Sequence, residues 1–269
     1  MIDTTFRPKK SLGQNFLVDE NIARKIIRQL APTPQDVVVE IGAGFGVLTK
    51  YLLPAAKKVI AVEIDGRLAQ TLRGKFGRQE KFNLIEGDFL KIDLAEIYTG
   101  SEGLRIVGNI PYHITSPVIF KIFDVCRLVA DMTLMIQQEV AQRIVAAPGS
   151  KDYGILSVFS QLYSEPKILF QVSKNVFRPR PEVDSSVVRW DFSRPLQVEI
   201  SDHEILDRVI HATFQQRRKM LRKSLQQIAE IADNISKLNF NLEKRPEELT
   251  PEEFVQLANE ICKIWKRPT

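Results

Sequence analysis

Val37-Val38-Val39-Glu40-Ile41-Gly42-Ala43-Gly44-Phe45-Gly46 is the stretch whose reading decides the fold. β-Branched residues around a single glutamate read as a strand buried on both faces. The strand runs straight into glycines at every second position, and helical spacing follows through Leu48, Leu52 and Leu53. Strand, glycine turn and helix make the first βα unit of a doubly wound α/β sheet, in which ligands bind outside the carboxyl ends of the strands. The dinucleotide fingerprint is not met, because its longer last gap would put glycine where Val47 stands.

With Glu40 two residues before Gly42, the loop resembles the nucleoside-binding loop of S-adenosylmethionine-dependent methyltransferases, where glycine keeps side chains away from a ligand lying on the backbone. Lys58 to Asp65 reads as the second strand and ends in acid. Glu63 falls about 20 residues past the glycine turn, where a carboxylate grips ribose hydroxyls in such folds; the alternative is a solvated strand end. Asn83 to Glu86 is the third strand, followed by Gly87-Asp88-Phe89. Asp88 suits acceptance of a hydrogen bond from an adenine amine, although the same three residues are also a turn signal. Leu104 to Val107 is the fourth strand and Met132 to Ile136 the fifth, with a helix from Gln138 to Ala146 and helical spacing from Ile155 to Leu162. Lys167 to Val172 and Ser186 to Phe192 read as a closing antiparallel pair.

The fourth strand delivers Gly108-Asn109-Ile110-Pro111-Tyr112 to the ligand edge. Those residues suit methylation of an exocyclic amino group on a nucleobase. The lone pair of such an amine is delocalised into the ring, and the neutral amine is too weak an acid for a general base to help. Accepting hydrogen bonds from its two N–H groups localises the lone pair towards an incoming methyl group. The Asn109 side-chain oxygen is one acceptor. A backbone carbonyl of the turn is the other, stiffened by Pro111, which fixes its own φ and keeps Ile110 extended. Tyr112 offers a flat face for an extruded base. As ordinary chemistry, Asn-x-Pro is a turn and its tyrosine a packing residue.

Asn175 to Ser185 contains Phe177-Arg178-Pro179-Arg180-Pro181, a rigid extended loop that suits holding a base opposite Tyr112; a structural loop with a buried Phe177 fits equally. Arg194-Pro195 marks a linker, dividing a domain over 1–195 from a helical one over 196–269. In the latter, Ile210, Phe214, Leu221, Leu225 and Ile228 form an apolar face at helical spacing, flanked by Arg217, Arg218, Lys219, Arg222 and Lys223. From Ser201 onwards 12 basic residues meet 11 acidic ones, so the positive charge is this one cluster, either a solvated face or an edge that meets phosphates. Thr250-Pro251-Glu252-Glu253 opens the last helix as a capping box.

Composition sets outer limits. Lys plus Arg is 38 against 33 Asp plus Glu, a net +5 that is too mild to name a partner by itself. No apolar run reaches membrane-spanning length, and the basic start, Met1 to Lys10, has no apolar core of a signal peptide. Cys126 and Cys262 stand far apart and the three histidines are scattered, so a cytoplasmic protein without a metal is expected.

Lys10 to Leu17, Glu40 to Gly46, Glu63, Gly87-Asp88, Gly108 to Tyr112, Phe177 to Ser185 and Phe214 to Leu225 together resemble, across nearly the whole chain, the small-subunit ribosomal RNA adenine dimethyltransferases. The resemblance implies a seven-stranded class I methyltransferase domain with a small helical carboxyl-terminal domain. It also implies transfer of four methyl groups from S-adenosylmethionine onto two adjacent adenosines in the 3′-terminal hairpin of small-subunit rRNA. Carried over by position, Asn15, Leu17, Gly42, Glu63, Asp88 and Asn109 contact the cofactor, while Asn109, Pro111, Tyr112 and Phe177 hold the target base. The basic cluster meets RNA in an immature small ribosomal subunit, and the protein acts as a monomer. Lys223 departs from the family pattern, where Asn is expected after the arginine. Two other readings share these motifs: the large-subunit rRNA adenine dimethylase of macrolide resistance, and a protein acting chiefly as a ribosome-assembly factor.

Overall fold

In a computed structural model, residues 6–98, 102–193, 198–232 and 234–265 are described. The expected linker Arg194-Pro195 lies outside them. Among the described residues the strands are β1 (Phe16–Leu17), β2 (Val37–Ile41), β3 (Lys58–Glu63), β4 (Phe82–Glu86), β5 (Leu104–Asn109), β6 (Val129–Gln137), β7 (Glu165–Val172), β8 (Phe177–Arg178) and β9 (Ser185–Asp191). Seven of them form one sheet in the order β4-β3-β2-β5-β6-β9-β7, and β1 pairs with β8 in a separate two-stranded ladder. β2 to β6 are mutually parallel, and β9 runs antiparallel to both β6 and β7. This is the expected α/β architecture, with the last two strands closing the sheet as an antiparallel pair.

β2 lies inside the sheet, between β3 and β5, and is apolar on both faces. Val38, Val39 and Ile41 are buried, and Val38 joins a cluster with Leu30, Leu52, Val59 and Val107. The first helix, Glu20–Leu30, starts where Asp19 accepts the N–H groups of Asn21 and Ile22 at 2.7 and 3.2 Å. It ends at Ala31, whose φ of 49° lies in the left-handed region. At the opposite edge from the ligand side, Arg105 bridges the neighbouring chain segments through Asp36 at 2.9 Å and Asp131 at 2.7 Å.

The chain separates into two compact units, one of residues 6–141 and 165–193 and the other of 142–164 with 198–265. The sequence reading assigned 142–164 to the first domain, and the structure corrects this. That segment carries the helix Ile155–Tyr163, whose Val158, Phe159 and Leu162 are buried, and it is bonded to the helical part by Tyr153, whose hydroxyl donates to the Leu249 carbonyl at 2.9 Å. Helical periodicity shows that an apolar face exists but not which partner covers it. The last helix, Pro251–Trp265, opens with the expected capping box: Glu253 donates its N–H to Thr250 Oγ1 at 3.2 Å, and Thr250 donates its N–H to Glu253 Oε2 at 3.0 Å.

Candidate functional site

The carboxyl ends of β2, β3, β4 and β5 open onto one cavity, walled on its far side by the lead-in Leu12 to Phe16. Gly42 and Gly44 line it in left-handed conformations, with φ of 67° and 58°. A Cβ on Gly44 would stand 3.3 Å from the Phe16 ring, so the glycine also leaves room for the lead-in to close over the loop.

Glu63 ends β3 with only 4% exposure. Its Oε2 accepts the Gly44 N–H at 2.8 Å and its Oε1 the Asp65 N–H at 2.9 Å. Those two bonds hold the carboxylate at the cavity wall, and each oxygen retains a lone pair for a ligand hydroxyl. Burial pushes the Glu63 carboxyl pKa up. Asp65 behaves oppositely: the guanidinium of Arg67 holds its carboxyl well below the usual range, and Gln14 of the lead-in donates to it at 3.2 Å. Asp88 follows β4 at the same edge, with one oxygen taking the Leu90 N–H at 3.0 Å.

Asn109 is the last residue of β5. Its Nδ2 donates to the Asn15 carbonyl at 2.9 Å, which leaves Oδ1 as the acceptor end of the amide. Pro111 lines the cavity next to it, and its carbonyl accepts the Ile114 N–H at 3.1 Å in the turn Tyr112–Ile114. Tyr112 is half-buried, with its hydroxyl 2.8 Å from Ser185 Oγ. Burial pushes the phenol pKa up.

Asn15, Gly42, Glu63, Asp88, Asn109, Pro111 and Tyr112 therefore surround one cavity. Leu17 lies in an adjoining depression beside Glu40 and Asn109. Phe177 is in neither. It is 1% exposed, faces Leu17 across the β1–β8 ladder and packs with Val172 and Val187, so in this structure it presents no face to a base. The expectation that it stands opposite Tyr112 is corrected to the other reading of that loop, a buried core phenylalanine. Sequence pattern assigns no site role to Ile64, which lines the cavity, or to Ser185, which meets Tyr112. Ile64, half exposed between Glu63 and Asp65, gives the cavity an apolar wall, and an apolar residue between two acids at a strand end was its signal. Ser185 had no such signal.

The basic cluster also differs from its reading. The helix His203–Gln215 stops before it, and Leu221–Leu225 is a separate short helix, so Arg217, Arg218 and Lys219 sit in the turn between the two. Arg217 is engaged inside its unit, with Nε donating to Glu247 at 2.8 Å and an Nη to the Ser150 carbonyl at 3.1 Å. Arg222 reaches Glu243 at 3.4 Å. Arg218, Lys219 and Lys223 are exposed and have no ion-pair partner among the described residues.

A family model described as ribosomal RNA adenine dimethylase matches residues 5–263. The chain belongs to that family. It is 42% identical over 96% of its length to the ribosomal RNA small subunit methyltransferase A of Chlorobium phaeobacteroides, covering 93% of that protein. Against the protein of the same name from Caldanaerobacter subterraneus it is 39% identical, covering 97% of this chain and 99% of the relative. Among solved structures it resembles a dimethyladenosine transferase from Plasmodium falciparum, with a TM-score of 0.79, 28% identity and 93% and 98% of the two chains covered. It also resembles the 23S rRNA methyltransferase ErmE, with a TM-score of 0.67, 25% identity and 91% and 99% covered. The family member is an S-adenosylmethionine-dependent rRNA adenine dimethyltransferase of class I fold. Its cavity fits that cofactor: bare glycine backbone, the Glu63 carboxylate for hydroxyls, and Ile64 as an apolar wall. Among the described residues no helix is long and apolar enough to cross a membrane.

Proposed function

We propose that the enzyme dimethylates two adjacent adenosines in the 3′-terminal hairpin of small-subunit rRNA, late in subunit assembly. Both relatives described above carry a small-subunit name, which favours this over a large-subunit target. In this reading it acts as a cytoplasmic monomer without a metal. Gly42, Glu63, Asp88 and the lead-in around Asn15 hold the cofactor, with Leu17 packed behind them. Bound S-adenosylmethionine supplies an electrophilic methyl group. The target amine donates one hydrogen to Asn109 Oδ1 and the other to the Ile110 carbonyl, which Pro111 keeps in place. Tyr112 stacks on the base. Arg218, Lys219, Arg222 and Lys223 meet phosphates, while Arg217 shapes their turn.

The observation that carries the reading is the Asn109 amide, fixed by Asn15 so that its oxygen is the free end. An acceptor placed in advance loses nothing to reorganisation when charge develops on the amine. The test is to add the protein and cofactor to undermethylated small subunits and, separately, to unmodified large subunits, and to map dimethyladenosine in each. Product confined to two adjacent adenosines of the small subunit is expected. Modification of large-subunit RNA alone would assign the chain to the other substrate.

A further inference from the structure

We propose that Ser185 is a positioning residue for methyl transfer: its buried hydroxyl anchors the far end of the Tyr112 ring and sets the plane on which the target base stacks. The inference rests on the reading of Tyr112 as a stacking platform. Ser185 is fully buried at the start of β9 and is held from both sides, paired with Gln137 of β6 and Val172 of β7. The residue before it is fixed as well, because Asp184 Oδ1 accepts the Lys174 N–H at 2.9 Å. Its hydroxyl therefore has a fixed place, 2.8 Å from the Tyr112 oxygen.

The Tyr112 backbone is held, since its carbonyl accepts the Thr115 N–H and the Pro111 carbonyl accepts the Ile114 N–H, but neither bond reaches the ring. Tyr112 begins a three-residue 3-10 turn, Tyr112–Ile114, so those bonds fix the main chain and leave the side-chain torsions to other contacts. A ring pivoting on such a turn has two free torsions, and a contact at its outer end removes most of that freedom. Stacking needs only the ring, which phenylalanine would supply equally well. The hydroxyl is what tyrosine adds, and here it meets a rigid partner 73 positions further along the chain. Ser186 shows that a buried serine in this strand has no automatic partner: its Oγ makes no hydrogen bond among the described residues.

A double-mutant cycle tests the coupling on undermethylated small subunits, with kcat, the KM for S-adenosylmethionine and the cofactor Kd measured for S185A, Y112F and the double variant. Each single change is expected to lower kcat roughly 3- to 10-fold, the worth of one hydrogen bond, with the cofactor Kd unchanged. The double variant should be no slower than the slower single one, because both remove the same contact. Multiplying losses, or a loss confined to cofactor binding, would overturn the proposal. Y112A separates the two layers. If it keeps the wild-type kcat, the stacking reading itself fails. If it is slow while Y112F and S185A are not, stacking stands and the anchor does not. Should S185A fail to fold, Y112F decides alone, since it leaves β9 untouched, and activity within about twofold of wild type would refute the anchor.

Discussion

Two charged regions of this molecule are organised in opposite ways. At the carboxyl edge of the sheet, Glu40, Glu63 and Asp65 are each no more than 4% exposed, and residues far apart in sequence converge on one cavity. In the helical unit, Arg217, Arg218 and Lys219 are neighbours in sequence yet differ in their surroundings, one paired and two without an ion-pair partner among the described residues. Parallel strands align their ends, so distance along the chain says little about distance in space there. In a turn between helices, each successive side chain points elsewhere, and adjacency in sequence implies no shared role.

The largest expected effect lies in the buried charge of the first region. Glu40 is 2% exposed, its Oε2 accepts the Thr49 hydroxyl at 2.5 Å, and burial pushes its pKa up to about 8 against an ordinary 4.5, with Glu63 adding repulsion. Between those values the folded chain keeps a proton that the unfolded chain has released. Stability therefore falls as pH rises through that window and levels off above it. Glu40→Gln copies the protonated form. At pH 8.5 it should exceed wild type by about 3–5 kcal/mol, with the gap nearly closed at pH 5. Denaturant unfolding of both proteins at the two pH values checks this. Parallel stability curves would mean that Glu40 is ionised in the fold.

Next comes Asn109→Asp, for which a loss of about 100- to 1,000-fold in kcat is expected. The Asn15 carbonyl now faces the Asn109 amide nitrogen, and a carboxylate there would set oxygen against oxygen. The first methylation should slow for that reason. The second should slow further, because the monomethylated amine has one hydrogen for two acceptors and an unpaired carboxylate costs more than an unpaired amide. Monomethyladenosine should accumulate in a time course resolved by mass. A first step at the wild-type rate would show that the Asn15 contact does not orient residue 109. Glu63→Ala is expected to weaken cofactor binding by about 1.5–3 kcal/mol, roughly 10- to 150-fold, through lost charge-assisted bonds to ribose. Calorimetric titration decides it, and an unchanged Kd removes Glu63 from the cofactor site.

The same contrast explains what could be read from the sequence. Gly42, Glu63, Asp88 and Asn109 were legible because each ends or closely follows a strand, and strand ends in a doubly wound sheet share one edge. The sheet and its antiparallel closure were legible for the same reason. Contacts made through tertiary packing were not. Ser185 meets Tyr112 from a distant strand, Phe177 turns inward to Leu17, and 142–164 belongs with helices that come more than thirty residues after it. Local pattern supplies the element, while the partner is chosen by the packed whole.

The smallest effect divides the basic turn. Arg217 donates to Glu247 and to the Ser150 carbonyl, two groups of its own unit. Arg217→Ala should cost stability, and because the pair is partly exposed the cost is about 1–2 kcal/mol. It should leave the salt dependence of RNA binding nearly unchanged, since a side chain already neutralised by Glu247 displaces few counterions. Changing Arg218 and Lys219 together to alanine should do the reverse. Each free cation that meets a phosphate contributes about 0.9 to the slope of log affinity against log salt, so the pair should flatten it by up to about two. Unfolding curves should be unaltered, because neither side chain has a partner to lose among the described residues. Measuring RNA affinity across a salt series beside urea unfolding gives both readings for both variants. If Arg217→Ala flattens the slope as much as the double change does, its pair with Glu247 opens when RNA binds. The turn would then be one phosphate-facing edge, and sequence adjacency would have been the better guide after all.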